Sequence, residues 1–228
     1  MKITILTIAP EQFEGFFRDH VIERAIALGR LELRITDIRD YAEGSFRAVD
    51  DSPYGGGAGM ILRAAPIADA IRAAKVPGEE SMVVLFSPAG ERYSQKTAVS
   101  FAGADHLILV CGHYEGIDAR VFEMADHVCS MGDYILSGGE IGAMAVADSV
   151  ARLLPGVLRP ESLEEESFTR GLLEYPQYTR PAEFEGMSVP GVLLSGDHGA
   201  VSAWRREKAL EITRKYRPDL LEDREDPS

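Results

Sequence analysis

Apolar residues recur along the first two thirds of the chain in two rhythms. Residues 2–8 alternate as a strand, Phe13, Phe17 and Val21 share one helix face at four-residue spacing, and Leu31, Leu33 and Ile35 return to spacing two. Two later runs, 82–87 and 106–111, are nearly continuous in apolar side chains, the pattern of parallel strands covered on both faces. Residues 118–125 read as a short helix and 127–131 as another strand. Residues 139–154 read as a helix in which Ile141, Met144, Ala145 and Asp148 mark the period before Pro155 stops it. This alternation predicts an α/β fold with a mostly parallel sheet.

The rhythm breaks at residues 159–170, where a proline and four glutamates stand among few apolar residues, the composition of an exposed linker. Beyond it a turn-rich stretch runs through Pro176, Pro181, Pro190 and Gly191. A helical pattern over 200–216 then uses Val201, Trp204, Ala209, Leu210 and Ile212. The organisation predicted is a sheet domain over 1–160, a flexible linker over 161–169 and a small helical domain over 170–228. Residues 222–228 are polar enough to fray, and the chain has no internal repeat.

Composition narrows the class. With 228 residues, 45% hydrophobic and 27% charged, and with 22 Gly and 12 Pro, the chain can bury a core and is neither collagen-like nor mostly disordered. The 24 basic and 37 acidic residues give a net charge of -13, which argues against bulk attraction to DNA, RNA or an anionic membrane. A polyanion partner needs a local basic patch, and one is present. Between Trp204 and Arg217 the sequence places Arg205, Arg206, Lys208, Arg214, Lys215 and Arg217 against only Glu207 and Glu211.

Cys111 and Cys129 are too few for a zinc cluster or a disulfide scaffold, and a reducing cytoplasm is the expected location. No run approaches the roughly 20 apolar residues of a membrane span, so no membrane partner is expected. The five histidines form no His-Glu-x-x-His, and no metal ligand is assigned. His20, His106 and His127 read as packing or surface residues.

Residues 53–60 concentrate Gly55, Gly56, Gly57 and Gly59, which permit close backbone approach but supply no chemistry. No Gly-Lys-Ser/Thr follows, so this is not a phosphate-binding P-loop, and no G-x-G-x-x-G joins a strand to a helix. Taken alone, the loop is as readily a surface turn as a site. More informative are 111–118 and 132–140, each following a strand. With 85–90 they gather at one edge of an α/β sheet, where backbone amides and carbonyls can hold a polar cofactor.

These motifs resemble the bacterial tRNA (guanine-N1)-methyltransferase family, TrmD, within the SPOUT methyltransferases. The resemblance rests on 51–60, 111–118, 132–140, 178–181 and 192–198, in family order. It implies a mostly parallel sheet with a deep trefoil knot that binds S-adenosylmethionine. It also implies a homodimer with active sites at the subunit interface, and methyl transfer to N1 of guanosine 37 in tRNAs with guanosine at position 36. The residues matching the family's cofactor pocket are Ser87, Pro88, Gly112, Tyr114, Glu115, Met131, Gly132, Tyr134, Leu136, Gly138 and Gly139.

The same resemblance assigns Glu166 as general base, where the family usually has Asp, and Arg152 as its electrostatic partner. The guanine N1 proton must leave as N1 attacks the methyl, and charge develops at O6. In the family this linker orders over the site when tRNA binds. Asp50 and Gly57 are matched to reading the target bases, Ser195, Asp197 and His198 to positioning the anticodon stem, and Arg205, Arg206 and Lys208 to phosphates. Gln177 stands where the family commonly has His, so no imidazole role carries over there. Magnesium is expected only through the tRNA. Two other readings fit the same scaffold: a SPOUT enzyme acting on a ribose 2′-hydroxyl or another RNA site, and a non-catalytic RNA-binding protein.

Overall fold

Successive residues of the central strands pack on opposite faces of one sheet. Leu107 and Leu109 join the apolar cluster on one side, Ile108 and Val110 the cluster on the other, and Val84 and Val83 divide in the same way. The computed structural model describes residues 1–222. Fraying expected of residues 222–228 lies, beyond Glu222, outside the described residues. The chain folds as two compact units, Met1–Leu158 and Arg159–Ser228.

In the first unit the elements are β1 (Lys2–Thr7), α1 (His20–Ala27), β2 (Glu32–Asp37), β3 (Asp50–Asp51), β4 (Ile61–Leu62), α2 (Ala64–Ala74), β5 (Ser81–Arg92), α3 (Gln95–Ala102), β6 (His106–Val110), β7 (His127–Ser130) and α4 (Glu140–Ala151). The main sheet has strand order β2-β1-β6-β5-β7 with every pairing parallel. The α/β class with a mostly parallel sheet is therefore observed. One face is covered by α1, α3 and α4, whose Ile22, Phe101, Ala143 and Val146 meet Ile3, Ile5 and Leu107. On the other, Ile67 and Ile71 of α2 pack against Leu6, Val83 and Leu85.

Three local differences from the sequence pattern have physical causes. The helix predicted through Phe13, Phe17 and Val21 is two 3-10 turns, Pro10–Phe13 and Phe16–Arg18, followed by α1. Asp19 divides them: its backbone is extended, and its carboxylate accepts from Val21 N at 2.9 Å, so the α-helix starts at His20. The predicted helix at 118–125 is a 3-10 helix, Ala119–Met124, capped by Asp118. β5 outruns its apolar segment, because a register shift between Phe86 and Glu91 lets Glu91 and Arg92 pair again with β7.

His106 is fully buried at the start of β6, with Nε2 2.9 Å from the Thr4 hydroxyl and Nδ1 3.1 Å from that of Ser81. It ties three strand beginnings together at the end of the sheet opposite the motif loops.

The second unit contains α5 (Pro160–Glu164), the two-residue strands β8 (Glu183–Phe184) and β9 (Met187–Ser188), α6 (Gly191–Leu194), α7 (His198–Tyr216) and α8 (Asp219–Glu222). Asp197 caps α7, its Oδ1 accepting from Gly199 N and Ala200 N, both at 3.0 Å. No helix of the described residues is long and apolar enough to cross a membrane.

Candidate active site

At the carboxyl edge of the parallel sheet, three consecutive neighbours, β6, β5 and β7, each release a loop toward the same space. β5 contributes Ser87 and Pro88, the loop after β6 contributes Gly112, Tyr114 and Glu115, and the loop after β7 contributes Met131, Gly132, Tyr134, Leu136, Gly138 and Gly139. All eleven line one cavity of about 550 Å³. That volume lies within the range of small-molecule sites, roughly 300–1,000 Å³. Leu85, Phe86, Ile117 and Phe122 give it apolar walls, and His113, Ile135 and Ser137 are also among its lining. These last three lie inside the quoted motifs and are legible there only as neighbours of matched positions.

The loops approach one another at backbone distance. Gly139 N donates to Gly112 O at 2.8 Å, and His113 and Gly138 form an antiparallel bridge. A methyl group on Gly139 would stand 2.8 Å from Cys111 Cα and 3.0 Å from Gly112 N. Only glycine lets these two strands of the wall close. Tyr114 adopts a left-handed backbone, φ +58, which places a half-exposed aromatic ring at the rim.

Beneath the glycines, α4 opens with Glu140, whose side chain is 2% exposed. Its Oε1 accepts from the Thr7 hydroxyl at 2.7 Å and its Oε2 lies 3.7 Å from His113 Nδ1. A carboxylate in the first turn of a helix faces the positive end of the helix dipole, which offsets part of the burial cost. His113 Nδ1 is itself buried without a hydrogen-bond partner.

Neither cysteine sits where a thiolate is favoured. Burial, and secondarily the charge of Glu140, push the Cys111 thiol well up, and burial pushes Cys129 to about 11.

The glycine loop of 53–60 is stitched to the same edge. Glu115 N donates to Met60 O at 3.1 Å, Leu62 N to Gly116 O at 2.9 Å and Asp118 N to Leu62 O at 2.9 Å. Asp50 sits half-buried in β3 opposite Leu62, and Gly57, at φ +133, is exposed. The loop is thus more than a free surface turn. Its exit strand is paired with the segment that carries Glu115.

A sequence model of the family described as tRNA (Guanine-1)-methyltransferase TrmD matches residues 1–223. Similar proteins include the tRNA (guanine-N(1)-)-methyltransferase of Listeria welshimeri, 53% identical over 98% of this chain and 93% of its own length. That of Geobacter sulfurreducens is 51% identical over 97% and 91%, and that of Dictyoglomus turgidum 50% over 97% and 90%. The chain belongs to the TrmD family. With it comes the SPOUT class of α/β methyltransferase folds.

The remaining matched positions lie elsewhere. Arg152 is the half-buried C-cap of α4 in the first unit, and Glu166 is half-buried just past α5 in the second. Ser195, Asp197 and His198 stand exposed at the entry of α7. On α7, Arg206 is exposed, Lys208 pairs with Glu211 at 2.6 Å, and Arg205 pairs with Glu165 at 3.2 Å. Among the described residues, no group of three or more His, Cys, Asp or Glu is placed to hold a metal ion.

Proposed function

We propose that this protein transfers the methyl group of S-adenosylmethionine to N1 of guanosine 37 in tRNAs that carry guanosine at position 36. The observation that carries this reading is the convergence of three family motif loops on one cavity, in a chain matched over residues 1–223. The cavity suits the cofactor in size and chemistry. Backbone groups of Gly112 and Gly138 offer polar contacts, Tyr134 and Leu136 provide apolar surface, and Ser87 and Glu115 provide polar side chains at the wall.

When bound, S-adenosylmethionine supplies an electrophilic methyl group on a positively charged sulfur. Guanine N1 carries a proton at neutral pH, and the N1–H bond must break as N1 gains the methyl carbon, whose bond to sulfur would break and leave the spent cofactor as a neutral thioether. Glu166 takes that proton on its carboxylate, one methylene longer than the Asp usual in the family. The positive charge of Arg152 offsets the negative charge that builds at O6. On tRNA, Asp50 and Gly57 read the target bases, Ser195, Asp197 and His198 position the anticodon stem, and the basic face of α7 follows phosphates. The carboxylate of Asp197 is already shared with two backbone amides of α7, so its contact to RNA would add to a capping role.

The proposal includes the deep trefoil knot, a cytoplasmic setting and a homodimer with active sites at the subunit interface. Tyr134, Ile135 and Ile141 leave large apolar surface exposed around the cavity, which favours a covering subunit. Magnesium, where required, enters with the tRNA.

The test is nucleoside mass spectrometry after incubating the protein with S-adenosylmethionine and unmodified tRNA. The expected product is 1-methylguanosine. A ribose-methylated nucleoside would redirect the reading to a different SPOUT activity, and tRNA binding without any methyl transfer would leave an RNA-binding protein.

A further inference from the structure

The acidic run Glu164–Glu166 precedes and includes the proposed base, and the second unit holds its middle member in a specific cluster. Glu165 Oε2 accepts from the Tyr175 hydroxyl at 2.7 Å and from Arg205 Nη1 at 3.2 Å. The Arg205 guanidinium lies 4.7 Å from the centre of the Tyr175 ring, so one planar cation both stacks and donates. Burial, and then the hydrogen bond to Glu165, push the Tyr175 phenol up to about 12, so it remains a donor at any working pH. Arg205 Nε is buried without a hydrogen-bond partner, while the rest of the side chain, like that of Glu165, is partly exposed.

Further stitches run between the same segment and α7. Leu173 N donates to the buried Thr213 hydroxyl at 2.9 Å, and Arg217 lies 5.8 Å from the centre of the Phe168 ring. Glu174 N donates to the Ser167 hydroxyl at 2.9 Å, closing the segment on itself.

We propose that Arg205 and Tyr175 are positioning residues: they clamp Glu165 and so fix the backbone from which the adjacent Glu166 projects. This inference rests on the reading of Glu166 as base. It moves Arg205 from a phosphate contact to a latch on the catalytic segment. The remaining exposed cations of α7, Arg206, Arg214 and Lys215, keep the phosphate role.

The two roles differ in what they change. Were Arg205 a phosphate ligand, Arg205→Ala would weaken tRNA binding and lower its log–log salt slope by about 1, leaving the rate at saturating tRNA intact. With Arg205 as a latch, the same change leaves binding and slope near wild type and lowers the single-turnover rate at saturating tRNA and cofactor. Summing an exposed ion pair and a cation–π interaction, the expected drop is about three- to thirtyfold. Arg205→Lys separates the roles again, because lysine keeps the charge and lacks the planar stack and fork. The latch predicts partial rescue of rate with binding unchanged, because lysine can restore the ion pair but not the planar stack, and a phosphate ligand predicts full rescue of binding. Tyr175→Phe, which removes one hydrogen bond and keeps the ring, should show a smaller fall in rate in the same direction.

Glu166→Gln is measured beside them with the full-length chain, and unchanged melting temperatures establish that each variant is folded. If Glu166→Gln is impaired while folded Arg205→Ala and Tyr175→Phe turn over at the wild-type rate, the latch is overturned and the base assignment stands. If Glu166→Gln itself retains the wild-type rate, the base assignment falls and the latch with it.

Discussion

Gly139 offers a clean steric test of how the wall of the proposed cofactor cavity is built. Its backbone, φ -80 and ψ -6, is one that alanine adopts freely, so a Gly139→Ala change carries no conformational penalty of its own. The added methyl would nevertheless stand 2.8 Å from Cys111 Cα, 3.0 Å from Gly112 N and 3.2 Å from Cys111 Cβ. Two of these three are main-chain atoms of a buried segment and cannot swing aside. Relief requires the loop after β7 to move off the loop after β6, lengthening the 2.8 Å Gly139–Gly112 hydrogen bond.

Overpacking of this kind costs about 1–3 kcal/mol. At about 2–4 °C per kcal/mol for a chain of this size, the melting temperature should fall by several degrees. Because Gly112, Gly138 and Gly139 all line the cavity, affinity for S-adenosylmethionine should fall with it, by about tenfold for each 1.4 kcal/mol. The control is Gly15→Ala. Gly15 has φ -75 and no atom within 4 Å of an added methyl, so that variant should be neutral or slightly more stable. Calorimetric titration of cofactor into both variants, with melts alongside, decides the matter. Wild-type affinity in Gly139→Ala would refute the claim that loop approach at backbone distance forms the cofactor wall.

Other outcomes follow from single groups. Glu140→Ala removes the acceptor of the buried Thr7 hydroxyl and should destabilise the protein by about 1–3 kcal/mol in denaturant unfolding, with Glu140→Gln milder. Asp197→Ala removes the N-cap of α7 and should cost about 0.5–2 kcal/mol, read in the same way. Tyr93 is held protonated in the folded state, its phenol pushed to about 12, chiefly by burial. Above the ordinary value of 10 the unfolded chain loses that proton and the folded chain keeps it. Stability therefore falls between about pH 10 and 12, by up to about 1.4 kcal/mol per pH unit from this group, and Tyr93→Phe should flatten that part of the pH–stability curve.

The parallel sheet was legible because strands buried on both faces are nearly continuous in apolar residues, as 82–87 and 106–111 are. The loops of the proposed cofactor cavity were legible as glycine-bearing segments at strand ends, and all eleven positions assigned to it line one cavity. Other features depend on partners far away in sequence. Glu140 reads as an ordinary helix-start acid until Thr7, 133 residues away, donates to it. The run Glu164–Glu166 reads as solvated linker because composition registers charge, and the groups that engage Glu165 come from 10 and 40 residues further on. The extension of β5 through Arg92 was hidden for a related reason: its pairing resumes after a bulge, across residues with no apolar pattern. Helix α2 has no side-chain cap at its start and is placed by Ile67 and Ile71 meeting the sheet, whereas α3 opens on a Ser94 cap and buries Phe101.

The central claim is the identity of the methylated atom, and position-resolved mass spectrometry of the RNA product tests it most directly. Unmodified transcripts differing only at position 36 or 37 are incubated with the protein and S-adenosylmethionine, then digested to fragments and nucleosides. The account predicts one methyl group, on the base of guanosine 37 as 1-methylguanosine, and its loss when guanosine 36 is replaced. Methylation of a ribose, of another nucleotide, or equally of both transcripts would contradict it.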